Sequence, residues 1–270
     1  MTFAYLRVLG SAIVLNLIFR QRNPPKLAPV DRLRIVIYSL LGVVINQLLF
    51  LGGLALTSAH VAAILMTMIP VFVLAIAILA GRERGSAAKI GGIALAMAGA
   101  VAVIGREGVQ GAGKSLIGDL LLIGNGFAYA LYLVFSKPDM LRLSPRRVIA
   151  RMFGIGAVIM LPICAWSLWD EPWSMIPRSA WIALLAVIAG PTVAAYLLNA
   201  WALAHSDSSL VATYTYLQPI ITIVLAAVFL SETIRPVALA AAAMILAGVY
   251  LAGRPAPPAA LPEAVPGNPD

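Results

Sequence analysis

The chain carries few groups able to do chemistry, and their spacing is the first clue to their use. Asn125, Tyr129, Tyr132 and Ser136 follow one another at intervals of 4, 3 and 4 residues, which stacks them on one helix face. Thr192, Tyr196 and Asn199 repeat the pattern at 4 and 3, and Tyr214 and Gln218 lie four apart. Asn46 and Gln47 sit together inside another apolar run. All of these are neutral hydrogen-bonding groups. In a helix surrounded by hydrocarbon they must turn inward, because a polar group facing lipid is costly. Two uses fit that placement. One is a cavity wall that hydrogen-bonds a small solute, and the other is contact between helices, worth about 0.6 kcal/mol per bond. Asn46, Asn125, Tyr129, Tyr196, Asn199, Tyr214 and Gln218 are the candidate solute-binding residues. Tyr132, Ser136 and Thr192 lie nearer the helix ends and read as interfacial or structural.

Charged groups are placed differently. By sequence position, no Asp, Glu, Lys or Arg falls in the middle of an apolar run; Arg7, Asp119 and Arg151 lie near run ends, and His60 opens one. A proton-coupled carrier keeps a titratable group in its pathway, and His60 and Asp119 are the candidates. An otherwise neutral interior suits an uncharged or zwitterionic solute. Glu83 and Glu232 follow apolar runs but fall on opposite faces, so they read as loop carboxylates that pair with Arg84 or Arg235 or cap the next helix. The two histidines, His60 and His205, also fall on opposite faces, which excludes a paired metal site. Cys164 stands alone in an apolar run and reads as a small buried side chain. Residues Gly108 to Ser115 fit the phosphate-loop pattern G-x-x-x-x-G-K-[ST]. That loop works only between a strand and a helix of an α/β domain, and here it joins two apolar helices. No catalytic residue, metal or cofactor is expected.

The elements that position these groups follow from composition. Of 270 residues, 61% are hydrophobic and 11% charged, against about 25% charged in a soluble domain. Mean hydropathy is +0.96. There are too few polar residues to coat a soluble core of this size, which leaves the lipid bilayer as the partner of the surface. The net charge of +8 sits between apolar runs, as loop anchors do, and does not indicate nucleic acid. Nine runs are long enough to span: 2–20, 35–54, 59–81, 89–105, 117–136, 148–169, 179–203, 209–230 and 237–252. They are too continuous for barrel strands. The fold class is therefore all-α and polytopic.

Loop charge sets the orientation. Arg20, Arg22, Lys26, Arg32, Arg34, Arg82, Arg84, Lys89, Lys137, Arg142, Arg146, Arg147, Arg151 and Arg254 all fall on one side. That side is predicted to be cytoplasmic, which puts the carboxyl terminus inside and the protein, multi-pass, in the cell inner (plasma) membrane. Residues 253–270 hold six prolines and are expected to be a disordered cytoplasmic tail.

The chain also resembles itself. Pro70 and Pro219, Glu83 and Glu232, and Gly99 and Gly248 share one offset of 149 residues, with Ala55–Leu56 matching Ala202–Leu203 after a two-residue slip. The offset pairs the first four runs with the last four and leaves 117–136 unpaired; its partner would lie about 30 residues before Met1. The unit is thus five helices, and an odd number inverts the second copy. Residues 1–106 form the first repeat and 107–252 the second, the first lacking its opening helix. Pro70 and Pro219 each fall near a helix centre and free the carbonyl four residues earlier, at Met66 and Thr215, which marks both helices as candidate gating kinks. Residues four apart, at Gly92, Ala96 and Ala100 and again at Ala240, Met244 and Gly248, form thin faces that allow close helix contact. They join either the two halves or two copies in a homodimer.

The segment from Pro70 to Glu83, with Gly91, Gly92 and Gly99 after it, resembles the first repeat of the EamA family within the drug/metabolite transporter superfamily. Pro219 to Glu232 with Ala247-Gly248-Val249-Tyr250 resembles the second. The resemblance spans about residues 2–252 and implies ten helices, cytoplasmic termini and a central cavity between the halves; this chain departs from it by lacking the first helix. The expected function is a secondary transporter, most simply an exporter, of small metabolites such as amino acids or related neutral or zwitterionic compounds. The alternatives are a membrane-embedded lipid-modifying enzyme and a truncated remnant that transports nothing.

Overall fold

A computed structural model of the chain describes residues 1–19, 27–57, 62, 65–107, 116–218, 220, 221, 224 and 236–254. His60, Pro219, Glu232, the Gly108–Ser115 loop and the tail beyond Arg254 lie outside the described residues. Those described form nine helices and, among them, no strand. They are α1 (Thr2–Ile18), α2 (Pro29–Leu56), α3 (Ile69–Leu79), α4 (Ala87–Glu107), α5 (Leu116–Leu143), α6 (Pro145–Trp169), α7 (Arg178–His205), α8 (Ser208–Thr213) and α9 (Pro236–Ala252). Four of them, α2, α5, α6 and α7, are long and apolar enough to cross a membrane. Apolar side chains such as Leu17, Leu79, Val158, Leu185 and Leu198 stand exposed around the bundle, and Trp166, Trp169, Trp173 and Trp181 gather where α6 gives way to α7. An apolar flank with tryptophans at a helix end is the surface a bilayer covers.

Local chemistry sets the ends. Proline stands in the first turn of α2, α3 and α6, where its missing N–H costs nothing. Asp119 in the first turn of α5 and Arg142 in its last match the helix dipole. The 149-residue offset reappears in these ends. α2 starts at Pro29 and α7 at Arg178, and α4 starts at Ala87 and α9 at Pro236. The residue before α2, Ala28, and the one before α7, Pro177, have matching backbones with ψ of 150° and 152°. Thr57 and Ser206, which end α2 and α7, are both extended. Leu56 is therefore the counterpart of His205, and the two-residue slip read from Ala55–Leu56 is corrected. Alanine and leucine recur so often there that a shifted pairing looks as good as the true one.

Two elements differ from the expected runs. The run 59–81 is not one bent helix: a turn at Thr67–Met68 interrupts it, and α3 begins afresh with Pro70 in its first turn. Proline cannot supply the N–H that would continue the ladder, so the first bond of α3 runs from the Phe72 N–H to the Met68 carbonyl. The run 209–230 likewise begins as the short α8 and tightens into a 3-10 turn at Tyr214–Tyr216. Thr67 and Tyr216 are counterparts, and they touch: the Tyr216 hydroxyl donates to the Thr67 carbonyl at 2.8 Å. The carbonyl that Tyr216 takes up is thus that of Thr67, next to the predicted Met66.

Packing is tightest between α4 and α9. A Cβ placed on Gly92 would meet the Gly248 carbonyl at 2.6 Å, and one on Gly99 would meet the Ala241 carbonyl at 2.9 Å. Gly99 and Gly248 are counterparts, as are Gly92 and Ala241, so the two contacts exchange under the offset. Such reciprocity is the property of a two-fold axis, and it sets α4 and α9 antiparallel. The small-residue faces therefore meet each other within the chain and give no argument for a homodimer.

Candidate functional site

The polar stripes of α5 and α7 converge with α2 and α1. Both α2 and α7 carry a π-helical turn, at Leu40–Val44 and Ile188–Ala194. Gly42 opens space in the first, and Pro191 removes a donor from the second. A wide turn of this kind leaves carbonyls without their helical partners, and side chains from elsewhere in the bundle meet them. The Tyr196 hydroxyl donates to the Gly42 carbonyl at 2.7 Å. The Thr192 hydroxyl donates to the Val187 carbonyl at 2.9 Å. The Tyr132 ring lies flat on Gly42, where any Cβ would meet it at 2.8 Å, and the Tyr196 ring stands edge-on to Phe153.

Of the expected site residues, the structure brings five together. Asn125 is buried and donates to the Asn46 carbonyl at 2.7 Å, joining α5 to α2. Asn199 donates to the Tyr129 hydroxyl at 3.2 Å, joining α7 to α5, and Tyr196 joins α7 to α2. These bonds are the helix contacts weighed above, yet some valence is unspent. The Asn199 Oδ1 is buried with no hydrogen-bond partner among the described residues, and the Tyr129 hydroxyl, which accepts from Asn199, still has a proton to give. Tyr214 and Gln218 are exposed rather than enclosed. Asp119 accepts from the Thr57 hydroxyl at 2.8 Å at the far end of α5, apart from this cluster.

Three residues set aside as interfacial belong inside. Tyr132, Ser136 and Thr192 are 1%, 0% and 0% exposed. Among the described residues the buried Tyr132 and Ser136 hydroxyls meet no hydrogen-bond partner. Position along a run misled for Tyr132 and Ser136, because α5 continues to Leu143, past the predicted end at 136, whereas Thr192 stands near the middle of α7 both as predicted and as observed.

Arg7 requires a larger correction. Its Nε donates to the Thr192 hydroxyl at 2.7 Å, so the guanidinium reaches the π turn of α7, and no carboxylate pairs with it among the described residues. The counterpart of Arg7 is Gly156, near the middle of the 25-residue α6. Arg7 is therefore deep, although it follows Met1 closely in sequence. The repeat offset was the signal that would have found it.

Ion pairs gather elsewhere. Glu83 pairs with Lys89 at 3.0 Å rather than with Arg84, and it accepts from both the backbone N–H and the hydroxyl of Ser209. It thus caps α8, not the helix that follows it in sequence. Asp207 pairs with Lys89 at 2.9 Å and Lys137 at 3.4 Å. Burial would raise the Asp207 carboxyl, but the hydrogen bonds and charges of Lys89 and Lys137 hold it below the usual carboxylate range. A second group joins Asp31 and Asp139 through Arg142, with Arg34 and the Tyr38 hydroxyl also on Asp139.

This arrangement is a membrane-embedded polar cluster, no group of His, Cys, Asp and Glu able to hold a metal ion lies among the described residues, and known proteins of similar sequence carry transporter names. An uncharacterized transporter of Archaeoglobus fulgidus is 29% identical over 92% of this chain and 85% of its own. A probable amino-acid metabolite efflux pump of Salmonella typhimurium is 27% identical over 72% of this chain and 67% of its own. A probable terminal-alkyne amino-acid exporter of Streptantibioticus cattleyicolor is 28% identical over 77% and 68%. A solved crystal structure shares the fold with a TM-score of 0.74 at 18% identity, covering 93% of this chain and 84% of that one. The profile of one family of transporters, not enzymes, matches residues 1–105 and 116–254, and this multi-pass membrane chain belongs to it: the EamA-like transporter family.

Proposed function

We propose that the chain is a secondary transporter that exports small neutral or zwitterionic metabolites, amino acids foremost, from the cytoplasm. The observation that carries this reading is the cluster of Tyr129, Asn199 and Tyr196. These side chains bridge α5, α7 and α2 deep in the bundle and keep, among the described residues, an unpartnered acceptor at Asn199 Oδ1. Neutral groups of this kind bind a solute without holding it by net charge. In this reading residues 1–106 and 107–252 are two inverted repeats, and alternating access is the rocking of one against the other around that cluster. The turn at Thr67–Met68 and the 3-10 turn at Tyr214–Tyr216 serve as the flexible points. The excess of basic residues in the loops of one side supports a cytoplasmic carboxyl terminus. The amino-acid class rests on the names of two relatives and fits the hydrogen-bonding interior.

Efflux of labelled amino acids from preloaded cells tests the proposal. Cells expressing the chain lose at least one amino acid faster than cells expressing no transporter, and a protonophore slows that loss. Equal efflux across the panel, with the protein present in the membrane, would sink the amino-acid reading.

A further inference from the structure

Arg7 is the one feature that the neutral-cavity reading leaves without a use. The geometry points to Arg7 as the binding group for the carboxylate of the transported solute, held in place by Thr192. This inference rests on the transport reading above and narrows its substrate class to carboxylates.

Three observations carry it. First, the fold does not need a cation there. The counterparts of Arg7 and Thr192 are Gly156 and Val43, and these also touch: a Cβ on Gly156 would meet Val43 at 2.9 Å. The same junction between an outer helix and a π turn is thus closed once by glycine against valine and once by arginine against threonine. Folding is served by the first kind. Second, the guanidinium has donors to spare. Of its five N–H groups, Nε is spent on Thr192, and no carboxylate meets the rest among the described residues. The two Nη atoms present the planar edge that accepts a carboxylate through two parallel bonds. An unpaired cation at this depth is costly, and a visiting anion offsets that cost. Third, the group is held ready. The Thr192 hydroxyl accepts from Arg7 and donates to the Val187 carbonyl, so both of its roles are filled and the guanidinium is anchored to the α7 backbone. Tyr196 lies one turn further on the same helix, tied to the π turn of α2. A carboxylate on Arg7 therefore sits at the π turn of α7, one helical turn from Tyr196, whose hydroxyl reaches the π turn of α2.

The full chain, reconstituted in liposomes, is screened for counterflow of labelled leucine, phenylalanine, threonine and homoserine. For any that exchange, the unlabelled acid is compared with its amide, which keeps the side chain and the ammonium group. The acid competes better than the amide by roughly tenfold or more. Arg7→Gln loses that preference, Arg7→Lys keeps part of it, and Thr192→Val weakens it while leaving the cation in place. Arg7→Gln or Thr192→Val protein that exchanges with undiminished preference for the acid overturns the inference. If Arg7→Gln fails to fold, Thr192→Val and Arg7→Lys decide. If the wild type exchanges none of the four, the amino-acid reading has failed on its own. Arg7 is then judged by whether acetate or benzoate raises the melting temperature of the detergent-solubilised wild type but not of Arg7→Lys and Thr192→Val. No such difference overturns the inference, and a lipid phosphate in place of a solute carboxylate shows as stabilisation by phosphatidylglycerol micelles alone.

Discussion

Tyr196 shows what a single hydroxyl does in this bundle. It meets a carbonyl that the π turn of α2 has released, while its ring packs on Phe153. Tyr196→Phe keeps the ring and removes the donor. The expected cost is about 1 kcal/mol, read as a lower melting temperature of the solubilised protein; an unchanged melt would mean that water replaces the bond. At this scale the sequence was legible in part. The 4-3-4 spacing identified which face of α5 and α7 is polar, because helix periodicity is strict. It did not reveal partners. Asn125 and Tyr196 bond to backbone carbonyls, of Asn46 and Gly42, and a carbonyl carries no signature in a sequence. Arg7 was misjudged for a related reason: depth in the bundle is a property of the assembled helices, not of distance from Met1.

Among the elements, α4 and α9 form the most demanding contact. Gly92 and Gly248 face backbone atoms, with Ala252 N at 2.5 Å from a Cβ on the first and Ala96 N at 2.5 Å from a Cβ on the second. Backbone cannot rotate aside as a side chain can. Gly248→Val should therefore separate the helices and cost about 3 kcal/mol or more. The check is the yield of monodisperse protein after detergent extraction, which should fall sharply, whereas Gly91→Val, with open space around its Cβ, should extract normally. The helices themselves were legible because runs of about twenty apolar residues have one solution in lipid. The interruptions were only half legible. Proline announced a fault at Pro70, but whether the helix bends or restarts depends on whether another group takes up the released carbonyl. Here Tyr216 does so for Thr67, which is a tertiary fact.

Across the described residues, the contacts between 1–106 and 107–252 include the α4–α9 seam, the polar cluster, and the ion pairs around Lys89. The last of these depends on pH. Asp207 has its folded-state titration held below the unfolded value, so its pairing stabilises the fold above the ordinary carboxylate range of about 4. That contribution is lost as pH falls through the depressed folded value. Asp207→Asn should flatten the acid limb of the stability profile and leave the neutral limb parallel to wild type but lower, as followed by melting temperature across pH; an unaltered acid limb would show that Lys89 and Lys137 do not sense Asp207. The contact between Tyr216 and Thr67 is lopsided in what it asks of the sequence. Its acceptor is a backbone carbonyl, which any residue at 67 supplies, whereas its donor is the hydroxyl of one side chain. The bond therefore tolerates replacement at 67 and is lost with the hydroxyl at 216, so inheritance guards one end of this junction and leaves the other to drift.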